Sequence, residues 1–242
     1  MKEQKIKKIV KEGYSKIAKS CGCCKCSSKK ISESIGYSKE EINNVPEANL
    51  GLGCGNPLAL AKIKQGAVVL DLGCGAGFDV FLASKKVGPN GKVIGIDMTK
   101  AMLEKAKNNA KKYDYKNIKF ILGDIENLPL KNNSIDVITS NCVINLAPNK
   151  DKVFQESFRV LKKEGKMFIS DIVLLEEISE EKKKDKSLIT GCVAGALLKK
   201  DYLEKIKKAG FQVKILNEDK NISKRQYQGI ALESLKIEAI KK

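Results

Sequence analysis

The stretch Val69-Leu-Asp-Leu-Gly-Cys-Gly-Ala-Gly77 decides the fold. An apolar run from Ala67 to Leu72 breaks at glycines into a segment that becomes helix-competent at Phe78. This is the sequence of a buried parallel strand turning into its crossover helix. The glycines read G-x-G-x-G, because Phe78 stands where a dinucleotide loop carries its third glycine. Asp71 lies directly before the loop, where its charge repels a pyrophosphate and suits a cationic or hydroxyl-bearing ligand. Gly73, Gly75 and Gly77 let backbone amides approach an amino-acid carboxylate.

Working outward, strands and helices alternate. Strands are expected at 92–96, ending at Asp97, then at 118–122, 135–140 and 165–173. Helices are expected at 78–86, at 99–112 with Thr99 as cap, at 151–161 and at 201–209, the last closed by Gly210. Short helices are expected at 38–48, capped by Ser38 with Glu41 in a capping box, and at 58–64. The segments 211–216 and 230–240 read as a final antiparallel pair. The pattern predicts a doubly wound, mostly parallel seven-stranded sheet with helices on both faces. The chain divides into an N-terminal extension (1–49), a ligand-binding core (50–175), and an insertion after strand 5 with the C-terminal completion of the sheet (176–242).

In such a sheet, ligands lie beyond the carboxyl ends of the strands. Asp97, followed by Met98, stands where ribose hydroxyls are read. Asp124 and Ile125 are placed for an adenine amino group and its face, and Asn141 ends the fourth strand. With Asp71, these groups fit a nucleoside that carries a sulfonium.

The 242 residues contain no histidine, so no imidazole base or ligand is present. The net charge of +17 does not point to nucleic acid. Of 46 basic residues only Arg159 and Arg225 are arginines, and the lysines are spread over every expected helix. No run reaches the roughly 18 apolar residues of a membrane span, and the lysine-rich start does not read as a signal peptide. A cytoplasmic protein with no membrane or nucleic-acid partner is expected. Its eight cysteines then stay as thiols, which suit soft metals and metalloids.

Cys142 follows the fourth strand and is aimed at substrate. Cys192 lies in the insertion, Cys54 in the glycine-rich loop 51–57, and Cys74 inside the first loop, where it reads as structural. Cys21-Gly-Cys-Cys-Lys-Cys26 forms a dense cluster that could also hold a separate zinc or copper ion.

Residues 50–240 resemble the class I S-adenosylmethionine (SAM)-dependent methyltransferases, which have a Rossmann-like fold. The segments Tyr37, Leu50–Pro57, Asp71–Asp79, Ser140–Leu146 and Cys192–Leu197 resemble the arsenite methyltransferases within that class. The resemblance implies SAM as cofactor and trivalent arsenic held by Cys54, Cys142 and Cys192, with methylated arsenicals as products. A further N-terminal cysteine, Cys24 or Cys26, takes part in the family pattern. The resemblance also implies arsenite or its glutathione conjugate as substrate and glutathione or thioredoxin as reductant; a monomer is expected. The sequence differs from longer members in its short C-terminus and its denser N-terminal cluster. Alternatives are a methyltransferase for a small organic acceptor such as a quinone, an RNA methyltransferase, and a non-catalytic thiol metalloid-binding protein.

Overall fold

The computed structural model describes residues 2–20 and 25–242, and of Lys25 and Cys26 the backbone alone. The chain begins with α1 (Glu3–Lys19), α2 (Lys25–Ser34), α3 (Lys39–Asn44) and α4 (Pro57–Leu60). It then alternates through β1 (Val68–Leu72), α5 (Phe78–Val87), β2 (Lys92–Asp97), α6 (Lys100–Lys112) and β3 (Ile118–Leu122). Next come β4 (Ile135–Asn141), α7 (Lys150–Val160) and β5 (Leu161–Leu174). The remainder is α8 (Glu180–Lys184), α9 (Lys186–Thr190), α10 (Lys199–Lys208), β6 (Phe211–Asp219), α11 (Ile222–Gln226) and β7 (Leu232–Lys241).

The seven strands form one sheet in the order β3-β2-β1-β4-β5-β7-β6. The first five are parallel, and β7 runs antiparallel between β5 and β6. β1 is central, with Val69, Leu70 and Leu72 fully buried, as a strand covered by helices on both faces requires. One apolar layer joins α5 and α1 to the sheet through Val80, Ala83, Val10 and Val69. The other packs Phe154 of α7 and Tyr202 and Ile206 of α10 against Leu70 and Ile138. The chain reverses its winding between β1 and β4, which opens a crevice at their carboxyl ends. Among the described residues no helix is long and apolar enough to cross a membrane.

Three local expectations need correction. The helix expected at 38–48 stops at Asn44, because Pro46 cannot continue it and instead opens a 3-10 turn, Pro46–Ala48. The helix expected to run to residue 64 ends at Leu60. Thr99 occupies the N-cap of α6, but its side chain makes no capping bond; its own N–H donates to the Asp97 carboxylate at 2.7 Å.

The capping box is present. Ser38 Oγ accepts the Glu41 N–H, and Glu41 Oε2 accepts the Ser38 N–H and a bond from Asn56 Nδ2. Ser38→Ala is expected to cost about 1 kcal/mol in urea unfolding.

Candidate functional site

A cleft with about 1100 Å³ of empty space opens at the carboxyl ends of β1, β2 and β4. Asp71, Gly73, Gly75, Asp97, Met98, Asp124, Ile125, Asn141 and Cys142 all line it; Gly77 is not among the lining residues and instead holds the N-cap of α5, close against Phe81 and Phe120. The loop after β1 is shaped by glycine where it approaches β4. Gly73 has φ +62°, and a Cβ there would fall 2.2 Å from Val143 Cγ2. Asp97 locks the loop from the side. Its two carboxylate oxygens accept the N–H groups of Gly75 and Thr99.

The cleft is acidic. Asp71 is buried and accepts from Thr139 Oγ1 at 2.7 Å. Burial, and then the charge of Asp79, push its carboxyl well above the ordinary range. Among the described residues no lysine or arginine pairs with Asp71, Asp79 or Asp97. Unpaired buried carboxyls stay costly until a cation arrives. A ligand with an ammonium, a sulfonium and ribose hydroxyls fits this donor set, as SAM does. Asp124 differs. Lys7 of α1 bonds to it at 2.6 Å and also to Glu126, so α1 lies over the expected adenine end.

Burial raises the Asp79 carboxyl from 3.8 to about 6. The folded chain therefore keeps this proton at pH values where the unfolded chain has lost it, and stability falls as pH rises from about 4 to about 6. Asp79→Asn is expected to remove that fall, on the order of 2 kcal/mol, measured by guanidinium unfolding at pH 4.5 and 7.

The second half of the site is made of sulfur. Cys54, Cys142 and Cys192 come from three separate segments, and all three are buried. The sulfurs of Cys54 and Cys142 lie within 4.8 Å of each other, and the Cys192 thiol reaches the backbone of Cys142. The Cys192 thiol donates to the Cys142 carbonyl at 2.8 Å, and the Cys54 thiol to the Ser170 carbonyl at 3.4 Å. Hydrogen bonds from the thiols of Cys192 and Cys54, with a smaller one from Tyr227, outweigh desolvation and set Cys142 well below the usual thiol range. Cys54 is pushed up by burial, and Cys192 by its bond to Cys142 and then by burial. Of the three thiols, Cys142 is thus the one most easily ionised. Cys142 and Cys192 also hold left-handed backbone, at φ +55° and +67°. That is uncommon for non-glycine residues and costs of order 1–3 kcal/mol each.

Several residues at this site were not singled out from the sequence. A carboxylate oxygen of Asp171 and the sulfurs of Cys54 and Cys142 all lie within 4.8 Å of one another. Asp171 accepts from Tyr202 Oη and Asn145 Nδ2. A lone acid inside the apolar run Met167–Leu174 was the available signal. Tyr227 Oη lies 3.7 Å from Cys142 Sγ, and Tyr14 Oη of α1 lies 4.0 Å from Cys192 Sγ. Nothing in the sequence pairs these tyrosines with the cysteines. Cys74 is buried against Gly95 of β2. Cys24 lies outside the described residues, as does the side chain of Cys26.

The family described as "Methyltransferase domain" matches residues 63–210. The chain is 46% identical over 193 residues to the arsenite methyltransferase of Halobacterium salinarum, covering 79% of this chain and 49% of that one. It is 40% identical over 184 residues to the human arsenite methyltransferase, covering 72% and 48%. It spans about half the length of these two relatives. Among solved structures, the arsenic(III) S-adenosylmethionine methyltransferase CrArsM from Chlamydomonas reinhardtii superposes with a TM-score of 0.68 at 32% identity, over 88% of this chain and 73% of that one.

Proposed function

Because the chain belongs to the arsenite S-adenosylmethionine methyltransferase family, we propose that it moves methyl groups from SAM to trivalent arsenic held by Cys54, Cys142 and Cys192. The observation that carries this reading is the meeting of three buried thiols, from distant parts of the chain, at the end of an acidic cleft.

Residues 50–175 form the cofactor-binding core in this reading, and the segments on either side cover it and complete the sheet. Gly73, Gly75 and Asp97 hold the amino-acid and ribose parts of the cofactor. Asp71 faces its positive charge, and Met98, Asp124 and Ile125 bound the adenine. When bound, SAM supplies a methyl group on a sulfonium whose leaving group is a neutral thioether.

The thiolate of Cys142 attacks arsenous acid first. Each arsenic–oxygen bond is then exchanged for an arsenic–sulfur bond, and each departing hydroxide leaves as water with a thiol or solvent proton. Three sulfurs fix the arsenic and leave its lone pair as the nucleophile. No proton leaves arsenic, so a histidine-free site suffices. Burial keeps water from the attacking atom, and the strained cysteine backbones hold the sulfurs in place. Each transfer oxidises arsenic by two electrons. A thiol reductant, glutathione or thioredoxin, returns it to the trivalent state. Arsenite or its glutathione conjugate is the substrate, and the protein works as a monomer in the reducing cytoplasm.

The test is transfer of labelled methyl from SAM to arsenite in the presence of glutathione. Label in methylarsenicals supports the reading. Arsenite binding without transfer would reduce the protein to a thiol metalloid binder, and transfer to a quinone alone would replace arsenic as acceptor.

A further inference from the structure

Asn141 is the last residue of β4 and directly precedes Cys142. Both ends of its side chain are engaged. Oδ1 accepts the Cys54 N–H at 3.2 Å. Nδ2 donates to the Gly55 carbonyl at 2.8 Å, to Tyr37 Oη at 2.9 Å and to Asp79 Oδ2 at 3.2 Å. Tyr37 Oη in turn donates to Asp79 Oδ1 at 2.6 Å, which closes a ring of three side chains. The loop carrying Cys54 is pressed onto this ring. A Cβ at Gly53 would fall 2.8 Å from Asn141 Nδ2, and one at Gly55 would fall 2.8 Å from Ser170 Oγ. Cys54 sits between glycines because its backbone is held this tightly.

The far side of the ring faces the cofactor cleft, where Tyr37, Asp71, Asp79 and Asn141 all contribute to the lining. Asp79 is buried and has no cationic partner among the described residues. A cation entering the cleft gives the Asp79 carboxylate the partner it lacks and fixes its position. A carboxylate so fixed holds the hydrogen bonds from Tyr37 and Asn141 in one geometry. Asn141 then holds the Cys54 backbone in register with Cys142.

We propose that Asn141 is a positioning residue through which cationic cofactor in the cleft and arsenic on the thiols strengthen each other's binding. The inference rests on the functional reading above. Such coupling is reciprocal, so arsenic must tighten the cofactor by the same factor. It favours arsenic capture when the methyl donor is already in place.

The experiment titrates arsenite into the full chain and follows arsenic–thiolate absorbance, with and without saturating sinefungin. Sinefungin carries an ammonium in place of the sulfonium methyl and cannot transfer it. Sinefungin is expected to lower the arsenite Kd of the wild type at least about five-fold. In Asn141→Ala, arsenite still binds, but sinefungin changes its Kd less than about two-fold. A purely structural defect would weaken both titrations and leave their ratio unchanged. If Asn141→Ala fails to fold by circular dichroism, Asp79→Asn replaces it, with the same loss of coupling expected. Arsenite binding to the wild type that ignores sinefungin overturns the inference and leaves the functional reading standing. So does coupling that survives in the folded variant. A wild type that binds no arsenite under either condition overturns the functional reading and the inference together.

Discussion

Cys142→Ser loses arsenite binding by at least about 100-fold, and methyl transfer to arsenic falls with it. Removing a group that merely supports a metal ligand costs roughly 10–100-fold in affinity, and here a ligand itself is removed. Cys142 is also the central member of the cluster: its sulfur lies within 4.8 Å of that of Cys54 and 3.7 Å from Tyr227 Oη, and its carbonyl takes the Cys192 thiol. A serine hydroxyl is not ionised at neutral pH and is a hard donor for a soft atom. The substitution is nearly isosteric and keeps the left-handed backbone, so the melting temperature should move by only a few degrees. The control is Cys74→Ser, in which an equally buried thiol of the first loop is changed outside the cluster. Its arsenite affinity is expected to stay within about two-fold of wild type. Arsenic–thiolate absorbance reads both. Undiminished binding by Cys142→Ser would remove that residue from the site.

The second large effect belongs to Gly73→Ala. The added methyl would lie 2.2 Å from Val143 Cγ2 and 2.8 Å from its Cβ. A β-branched neighbour cannot swing aside as a long flexible side chain does. The residue must also keep φ +62°, which costs an alanine roughly 1–2 kcal/mol. Overpacking adds about 1–3 kcal/mol, so a total of about 3 kcal/mol is expected in guanidinium unfolding. Val143 directly follows Cys142, so relief of the clash displaces the thiolate as well. Both S-adenosylhomocysteine binding by calorimetry and arsenite binding should fail together. Gly66→Ala gives the contrast. It has φ +79° with nothing within 4 Å of the added methyl, and its cost is expected to be the backbone part alone, about 1 kcal/mol.

The architecture was legible because its signals are local. β1 announces itself as an apolar run broken by glycines, and the later strands repeat the pattern with acids or Asn141 at their ends. Of the three cysteines only Cys142 could be named from its place beyond a strand end; Cys54 and Cys192 joined it through the resemblance to the arsenite methyltransferases. What was not legible depends on packing between distant segments. Tyr14 reaches the sulfurs from α1 and Tyr227 from the turn just after α11, at opposite ends of the sequence. The left-handed backbones of Cys142 and Cys192 leave no trace in composition. Thr99 looked like a cap because of its residue type; it does hold the N-cap position, but its side chain makes no capping bond and its own amide goes to Asp97. Asp171 was readable in principle, since an acid in a fully buried strand needs a reason to be there.

The sheet order bears on how this protein is made. β6 touches the rest of the sheet only through β7, and the Ser234 hydroxyl on β7 donates to the Cys54 carbonyl at 2.7 Å. During translation, the five parallel strands can pair while residues 232–241 are still inside the ribosome. β6 must wait as an unpaired ribbon, and the loop bearing Cys54 has no anchor from that side. The loop bearing Cys54 therefore gains this anchor only once the antiparallel pair has formed.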